Sequence, residues 1–168
     1  KNAAWSDDEQ TRAAEIIGVG AIIFNDLCTD RLTDVNFDID RVCDFEGETG
    51  PYIQYAHTRC LSIIRNAPKN VLGKFDTEKL LQLSANRKAL EDLFNAGSSF
   101  LKEKEELDLI RNLARLPLIL DQVISDYRPS VLATFLIDVT KAFNSFYRAH
   151  KVLVEDEKIA SARLALVV

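Results

Sequence analysis

The chain has 168 residues, of which 47% are hydrophobic and 28% are charged, and its formal net charge at pH 7 is −5. This composition excludes a disordered or fibrous chain, and the length allows one sizeable core, alone or with a short appendage. No stretch reaches the length of a membrane span, and the polar segment from Lys1 to Gln10 is unlike a signal peptide. We therefore expect a soluble globular protein.

The cysteine and histidine side chains do not form a recognisable metal site. Cys28, Cys43 and Cys60 are an odd number without close spacing, which favours reduced thiols that serve in packing. His57 and His150 lie far from each other in the sequence and from any pair of cysteines. The sequence therefore predicts no metal ligands and a cytoplasmic location.

The first predicted element is a helix near the amino terminus. Ser6 followed by Glu9 is typical of a capping box, and the apolar run over residues 13–27 continues the helix. Its apolar positions at helical spacing are Ile16, Val19 or Gly20, Ile23 and Leu27. Residues 33–40 then alternate apolar and polar side chains, which predicts a short half-buried strand or an extended segment.

The segment from Gly47 to Pro51 breaks the chain and marks a predicted boundary. Residues 1–50 are predicted to be a connecting segment, and residues 51–168 a helical bundle. Pro51 suits the first position of a helix, which residues 68–73 should end. The apolar stripe of this helix consists of Ile53, Ala56, Cys60, Ile63, Ile64 and Ala67.

More helices are predicted after this one. They cover residues 77–95, 102 to about 124, 129 to about 153, and about 155 to 168. Pro117 should kink the second of these helices. No C-cap signal follows the last helix, and the chain contains no Met, so we expect a fragment of a longer protein. The sum predicts an all-α bundle with a short non-helical preface.

Charge is distributed unevenly along the chain. Residues 26–48 contain eight acids and two arginines, whereas residues 51–75 contain four bases and residues 139–154 three, both without an acid. Because phosphate binding depends on Lys and Arg, the net charge of −5 argues against a nucleic-acid role. The two acid-free stretches are nevertheless compatible with a local anion-binding face, although ordinary variation of helix surface charge explains them equally well.

Four stretches carry a family resemblance. The most specific is Phe-Glu-Gly-Glu-Thr-Gly-Pro-Tyr-Ile-Gln-Tyr-Ala-His-Thr-Arg, over residues 45–59. The others are residues 19–27 with 37–38, residues 132–136 with 143–147, and Ala-Arg-Leu-Ala-Leu at residues 162–166. Together they resemble the carboxyl-terminal third of class I arginyl-tRNA synthetases, and the last is similar to the Asp-Ala-Leu-Arg-type motif that names the family's anticodon-binding domain. The match is weakest over residues 81–104.

The resemblance implies a full-length parent that ligates arginine to tRNA with ATP and magnesium. The family's ATP-binding signatures, a His-Ile-Gly-His-like element and a Lys-Met-Ser-Lys-Ser-like loop, are absent from this sequence. Without them the chain has no group that could stabilise the adenylation transition state. We therefore expect no catalytic residue, no cofactor and no activity in the chain alone. Residues 1–50 would connect the anticodon-binding bundle to its partner, the catalytic domain of the same protein.

The helix after Pro51 carries the predicted RNA-binding residues. Tyr52, Tyr55 and Arg59 recur at i, i+3 and i+7, so they share a face beside the apolar stripe. Proteins read unpaired RNA bases by stacking them on aromatic rings or guanidinium planes and by hydrogen-bonding their edges. In the family that the chain resembles, the matching residues and the one aligned with Tyr147 contact the anticodon loop. By resemblance we assign the tyrosines to stacking or hydrogen bonding, and Arg59 to phosphate or base recognition.

Other polar residues have weaker support. Arg65, Lys69 and Lys141 are candidates for phosphate contacts on charge alone. Tyr147 lies beside Phe143 and Phe146 in the sequence, so a half-buried ring at the edge of a core explains it as well as RNA binding does. Arg163, within the closing motif, is expected to hold helices together, and the Lys69-Asn70 pair to form a polar turn.

Three hypotheses about function remain open. The first is a tRNA-binding module of an arginyl-tRNA synthetase. The second is a related module from a synthetase for another amino acid, which the Gly-Pro-Tyr-Ile-Gln-Tyr-Ala-His stretch at residues 50–57 disfavours. The third is a helical interaction or scaffold domain that derives from a synthetase but does not bind tRNA, and the net charge of −5 is its best support.

Overall fold

The computed structural model describes residues 5–72, 87–88, 91–92, 94–95 and 97–168, and all regular secondary structure within them is helical. The helices are α1 (Asp7–Cys28), α2 (Ile39–Val42), α3 (Gly50–Asn66), α4 (Lys69–Leu72), a 3-10 helix (Ser98–Phe100), α5 (Lys104–Ala114), α6 (Leu116–Asp126), α7 (Pro129–Ala149) and α8 (Glu157–Val167). The predicted all-α class is confirmed. The helix predicted over residues 77–95 lies mostly outside the described residues, and those described within it are helical.

The chain divides into two compact units, each built from two stretches of sequence. Unit 1 comprises Lys1–Tyr55 and Leu116–Thr140, and unit 2 comprises Ala56–Arg115 and Lys141–Val168. Helices α3 and α7 therefore each supply residues to both units. The boundary predicted after residue 50 concerns a connecting segment and a bundle in chain order, and it stays a prediction.

The amino-terminal helix has the predicted start. The backbone N–H of Ser6 donates to Glu9 Oε2 at 2.9 Å, and the backbone N–H of Glu9 donates to Ser6 Oγ at 3.3 Å. This reciprocal pair is a capping box, which satisfies amides that have no acceptor within the helix. The predicted capping box and the helix that follows it are both confirmed.

The predicted half-buried strand is wrong for this part of the described chain. Residues 34–38 have no regular structure, and α2 begins at Ile39 because the Asp38 side chain accepts from the backbone N–H of Asp40 at 3.0 Å. Val35 and Phe37 are 55% and 52% exposed. Their alternation with polar residues therefore does not reflect burial of one face, which is what a strand pattern presupposes.

A kink is predicted at Pro117, and the structure instead divides the predicted helix into two just before this residue. Helix α5 ends at Ala114, and α6 begins at Leu116, so the two helices are separated by Arg115. Pro117 lies in the first turn of α6, where a residue without a backbone N–H loses no helical hydrogen bond.

Helix α8 is the centre of unit 2 and packs against α4, α5 and the 3-10 helix. Its buried residues are Ala160, Ala162, Leu164, Leu166 and Val167, which lie on more than one side of the helix, as expected for a central helix. The predicted polar turn at Lys69 and Asn70 is instead the start of α4. There, Asn70 Nδ2 donates to Glu157 Oε1 at 2.6 Å, which ties α4 to the beginning of α8.

Candidate nucleic-acid interface

The first turn of α3 is fixed in unit 1 by a threonine and a glycine. The backbone N–H of Tyr52 donates to Thr49 Oγ1 at 3.3 Å, and the Thr49 hydroxyl donates to the carbonyl oxygen of Asp44. A Cβ atom added to Gly50 would lie 2.9 Å from the carbonyl oxygen of Gly20. Gly50 therefore allows α3 to begin directly against α1, a contact that any larger residue would push apart.

Two of the predicted RNA-binding residues, Tyr52 and Tyr55, lie in this part of α3, within unit 1. Tyr52 is half-buried, and Tyr55 is 46% exposed. The Gln54 side chain between them faces α1, because a Cβ atom on Gly20 would collide with its amide group. Neither tyrosine is sealed in the interior, and Tyr55 is the more exposed of the two.

Arg59 and Tyr147, the other two predicted residues, contact each other in unit 2. The guanidinium carbon of Arg59 lies 5.2 Å from the centre of the Tyr147 ring, and Arg59 Nη1 donates to Asn144 Oδ1 at 3.4 Å. Tyr147 is 40% exposed, and its ring stacks on Phe143, with ring centres 6.0 Å apart and planes inclined by 24°. We call Arg59, Asn144 and Tyr147 the Arg59 cluster.

The geometry of the Arg59 cluster gives the guanidinium a defined direction. A cation within about 6 Å of an aromatic ring centre is attracted to the ring face, and the planar guanidinium keeps donors at its edges. Because Phe143 and Arg59 already contact the Tyr147 ring, an incoming base has only the exposed part of that ring available. The arrangement therefore favours a ligand that meets the guanidinium of Arg59 and the exposed edge of Tyr147.

Asn144 contacts Arg59 but is not among the residues that the sequence predicts for RNA binding. It is 9% exposed, and its backbone carbonyl also accepts from Arg148 Nε at 3.3 Å. Its position three residues before Tyr147 places both side chains on one face of α7. That spacing is the signal that could have identified it, but only once Arg59 is known to lie opposite.

The three candidates for phosphate contacts all lie in unit 2 and are exposed. Arg65 is in the last turn of α3, Lys69 begins α4, and Lys141 is in the middle of α7. Two acid-free stretches, residues 56–72 and 141–154, contribute these cations to the same unit as the Arg59 cluster. Their contact with phosphates stays a prediction.

Arg163 has the structural role expected from its place in the closing motif. Its Nε donates to Glu106 Oε1 at 2.7 Å, and its Nη1 donates to the carbonyl oxygen of Lys151 at 2.9 Å. The Glu106 side chain is 1% exposed and the Arg163 side chain 13%. Arg163 thus joins α8 to the start of α5 and to the segment after α7, and the prediction that it holds helices together is confirmed.

The remaining reactive side chains have ordinary structural surroundings. Burial raises the pKa of the Cys28 and Cys60 thiols to about 11, so both stay protonated at neutral pH, as suits packing residues. His57 is exposed, and His150 Nε2 donates to Glu105 Oε2 at 3.0 Å. Within the described ranges, no three His, Cys, Asp or Glu side chains are grouped as metal ligands, and no helix could cross a membrane.

Comparison with known proteins extends the resemblance seen in the sequence. Residues 53–168 match the family described as the DALR anticodon binding domain. The arginine–tRNA ligase of Ligilactobacillus salivarius is 37% identical over 167 residues, which are 99% of this chain and 25% of that protein. The arginine–tRNA ligase of Clostridium botulinum is 38% identical over 168 residues, which are 99% of this chain and 26% of that protein.

A solved structure gives the same result for the fold. The arginyl-tRNA synthetase of Thermus thermophilus superimposes with a TM-score of 0.70 at 27% sequence identity, over 99% of this chain and 25% of that one. The chain therefore spans about a quarter of the length of these relatives. Since the family match covers well over half of the sequence, the chain belongs to the DALR anticodon-binding domain family and is homologous to the carboxyl-terminal quarter of arginine–tRNA ligases.

Proposed function

We propose that this chain binds the anticodon region of arginine tRNA and is the tRNA-binding part of an arginine–tRNA ligase. The observation that supports this most strongly is the Arg59 cluster, in a chain of the DALR family. The Arg59 guanidinium carbon lies 5.2 Å from the centre of the Tyr147 ring, and Tyr147 is 40% exposed. An oriented guanidinium beside an accessible ring is suited to unpaired bases and to the phosphates between them.

The chemistry of recognition follows from these groups. The plane of Arg59 accepts a stacked base or directs two N–H groups at a phosphate, and the Tyr147 hydroxyl bonds to a base or ribose. Each stacked base contributes about 1–3 kcal/mol in comparable sites. The loss of Arg59 or of the Tyr147 ring should therefore each weaken RNA binding by roughly 5-fold to 150-fold.

Local charge supports RNA binding in unit 2 despite the total of −5. Residues 56–72 and 141–154 supply Arg59, Arg65, Lys69, Lys141, Arg148 and Lys151 without an acid among them. Each phosphate that a cation neutralises on a single strand contributes about 0.7 to the slope of log affinity against log salt. A few such contacts predict clear but moderate salt dependence.

Tyr52 and Tyr55 are proposed as further anticodon contacts, each tested separately because they lie in unit 1. The accessible ring of Tyr55 suits stacking, and half-buried Tyr52 suits a hydrogen bond from its hydroxyl. The full-length parent would ligate arginine to tRNA in the cytoplasm, using ATP and magnesium held outside this chain. The partner within that parent would be its catalytic domain.

A salt-dependent titration of arginine tRNA, followed by fluorescence anisotropy, tests the proposal. We expect the chain to bind arginine tRNA more tightly than another tRNA. The affinity should decrease as salt is added and when the anticodon bases of the arginine tRNA are changed. Arg59→Lys keeps the charge but removes the plane, so it should lose part of the affinity, and Arg59→Ala should lose more. Arg111→Ala is the matched control, because this exposed arginine of α5 pairs with Asp108 at 2.8 Å.

The outcomes separate the hypotheses. Preference for a different tRNA would indicate a module from another synthetase. Absence of binding even at low salt would contradict the proposal and favour the scaffold hypothesis. Unchanged affinity in an Arg59→Ala variant that keeps its helical content would show that the Arg59 cluster is wrongly assigned. Unchanged affinity in Tyr52→Ala or in Tyr55→Ala, each made alone, would show the same for that tyrosine.

A further inference from the structure

Asn144 is a polar side chain at a buried position of α7. The residue is 9% exposed, and its neighbours Phe143 and Phe146 are 5% and 0% exposed. A buried amide lowers the stability of a protein unless its polar atoms have hydrogen-bond partners. The partners of Asn144 therefore indicate why an amide occupies this position.

Arg59 fixes the orientation of the Asn144 amide. Arg59 Nη1 donates to Asn144 Oδ1 at 3.4 Å. A guanidinium carries only donors, so it can bond to the oxygen of the amide and not to its NH2 group. An exchange of the amide oxygen and nitrogen, which many asparagines allow, would place two donors against each other here. Asn144 Nδ2 is therefore the other branch of the amide, with two N–H groups to donate.

The N–H groups of Asn144 Nδ2 meet no acceptor in the part of the chain that the structure describes. The side-chain oxygen accepts from Arg59, and the other hydrogen bond of the residue, from Arg148 Nε at 3.3 Å, goes to its backbone carbonyl. The described residues do not enclose Nδ2 either, so a ligand can reach it. The amide thus presents a donor in a recess beside the Arg59 guanidinium.

Asn112 shows the contacts of an amide that is used only within the protein. It also accepts from an arginine, Arg115 Nη1, at 3.4 Å, but its Nδ2 donates to the carbonyl oxygen of Asp108 at 2.9 Å. Asn144 has the same contact with an arginine, and within the described residues it lacks the second one. A buried amide with one branch held and the other open is suited to a ligand that brings an acceptor.

The neighbours of Asn144 indicate which acceptor this is. Tyr147 lies three residues further on the same face of α7, is 40% exposed, and has its ring centre 5.2 Å from the guanidinium carbon of Arg59. Unpaired RNA bases carry carbonyl oxygens and ring nitrogens at their edges. A neutral amide adds less than a cation to phosphate binding, but it distinguishes a base with an acceptor at this point from one with a donor. The surroundings therefore favour the edge of a base.

We infer that Asn144 reads one unpaired base of the bound RNA, by donating from Nδ2 to an acceptor at the edge of that base while Oδ1 holds Arg59. The inference rests on the proposed function, because it takes the RNA to be the anticodon loop of arginine tRNA. It goes further by naming a specificity-determining residue that is neither aromatic nor charged. Arg59 contributes affinity through charge and stacking, and Asn144 contributes discrimination between bases.

Two variants of similar size separate reading a base from holding Arg59. Asn144→Asp keeps an acceptor for Arg59 but has no NH2 group, and Asn144→Leu has neither. Fluorescence anisotropy with arginine tRNA should show roughly 5-fold to 10-fold weaker binding for each variant. Asn112→Leu is the matched control for Asn144→Leu, because it removes an amide with the same arginine contact from α5. This control should bind within about twofold of the parent.

The added negative charge of Asn144→Asp needs its own control. Ser145→Asp places the same charge on the next residue of α7, which is exposed. Both variants are compared at an ionic strength that screens one added surface charge. Asn144→Asp should then bind roughly 5-fold more weakly than Ser145→Asp. Equal binding of the two would mean that the amide only holds Arg59, and it would overturn the inference while the proposed function stands.

Changes in the RNA test whether Asn144 meets a base. In a set of arginine tRNA transcripts, each unpaired anticodon-loop base is replaced in turn by an abasic residue. At one position the affinity lost through this change should be roughly 5-fold smaller in Asn144→Leu than in the parent, and at the other positions it should be the same. Equal losses in both proteins at every position would show that Nδ2 meets no base, and would overturn the inference.

A measurement on the unaltered side chain does not depend on how the variants fold. In nuclear magnetic resonance spectra of the isotope-labelled chain, the Asn144 side-chain amide is assigned from its absence in Asn144→Asp. Its signal should shift, and its exchange with water should become several-fold slower, when an arginine anticodon stem-loop binds. The amide of Asn112 should not change. An unchanged Asn144 signal in the RNA-bound protein overturns this inference alone, whereas absence of RNA binding by the parent overturns the proposed function and this inference with it.

Discussion

Replacement of Arg163 by Met tests the buried ion pair that holds unit 2 together. In the structure, Glu106 Oε2 accepts from the backbone N–H groups of Lys102 at 2.9 Å and Glu103 at 3.0 Å. Glu106 Oε1 accepts from Arg163 Nε at 2.7 Å. Arg163→Met therefore leaves a carboxylate with 1% exposure without the cation that now pairs with it, and it also removes the donor to the Lys151 carbonyl.

The expected decrease in the free energy of unfolding is large because the remaining Glu106 carboxylate is buried away from water. Breaking one side of a buried ion pair typically costs about 3–5 kcal/mol. Two backbone N–H groups still stabilise Glu106, so we expect a value near the lower end, about 3 kcal/mol. For a protein of this size each kcal/mol lowers the unfolding midpoint by roughly 2–4 °C, which predicts a decrease of about 6–12 °C.

Urea and thermal unfolding followed by far-ultraviolet circular dichroism measure this loss. The matched control is Arg111→Met, because the side chains of Arg111 and Asp108 are 70% and 37% exposed and the pair should contribute nothing detectable. The Arg163→Met, Glu106→Gln double variant has no unpaired buried carboxylate at residue 106, so it should be more stable than Arg163→Met alone. A loss below about 1 kcal/mol, or a double variant no better than the single one, would refute the reasoning.

Two further predictions concern unit 2. In Gly97→Ala the new Cβ would lie 2.8 Å from the Ala162 Cα, so we expect the free energy of unfolding, measured in urea, to fall by about 1–3 kcal/mol. Gly18→Ala is the control, because its Cβ would meet no atom within 4 Å, and it should leave the free energy of unfolding unchanged or raise it. The hydrogen bond from His150 holds the pKa of Glu105 below its ordinary value of 4.5. That stabilisation is present above pH 4.5 and is lost as the pH falls through the lower folded-state pKa. The difference in unfolding midpoint between the parent and Glu105→Ala should therefore become smaller in acid. A difference that becomes larger in acid would contradict this prediction.

Much of the secondary structure could be predicted because its signals are local. The capping box at Ser6, the helix that follows Pro51 and the interruption at Pro117 each depend on a few neighbouring residues. Of the strand or extended segment predicted over residues 33–40, the strand is wrong, because alternation of apolar residues indicates a strand only when one face is buried. Whether Val35 and Phe37 are buried depends on the rest of the fold, and both are exposed.

The candidate site could be predicted only in part. Tyr52, Tyr55 and Arg59 share a face of one helix, which spacing alone indicates. The role of Asn144 could not be predicted, since it is 85 residues from Arg59 and the two meet only after α3 and α7 have packed. The same holds for Glu106, which is 57 residues from Arg163.

The sequence by itself determined the helical class, most helix ends, the family and the order of the candidate residues, because caps, prolines, apolar period and motifs act over a few residues. Only the tertiary structure decided which side chains meet and which face outward. Arg59 contacts the Tyr147 ring, and Arg163 pairs with the Glu106 carboxylate, because segments that are distant in the sequence pack together. Ile16, Val19 and Ile23 have the apolar spacing of an ordinary buried face, and only the tertiary structure shows that they are exposed, because another side of their helix packs against the start of α3.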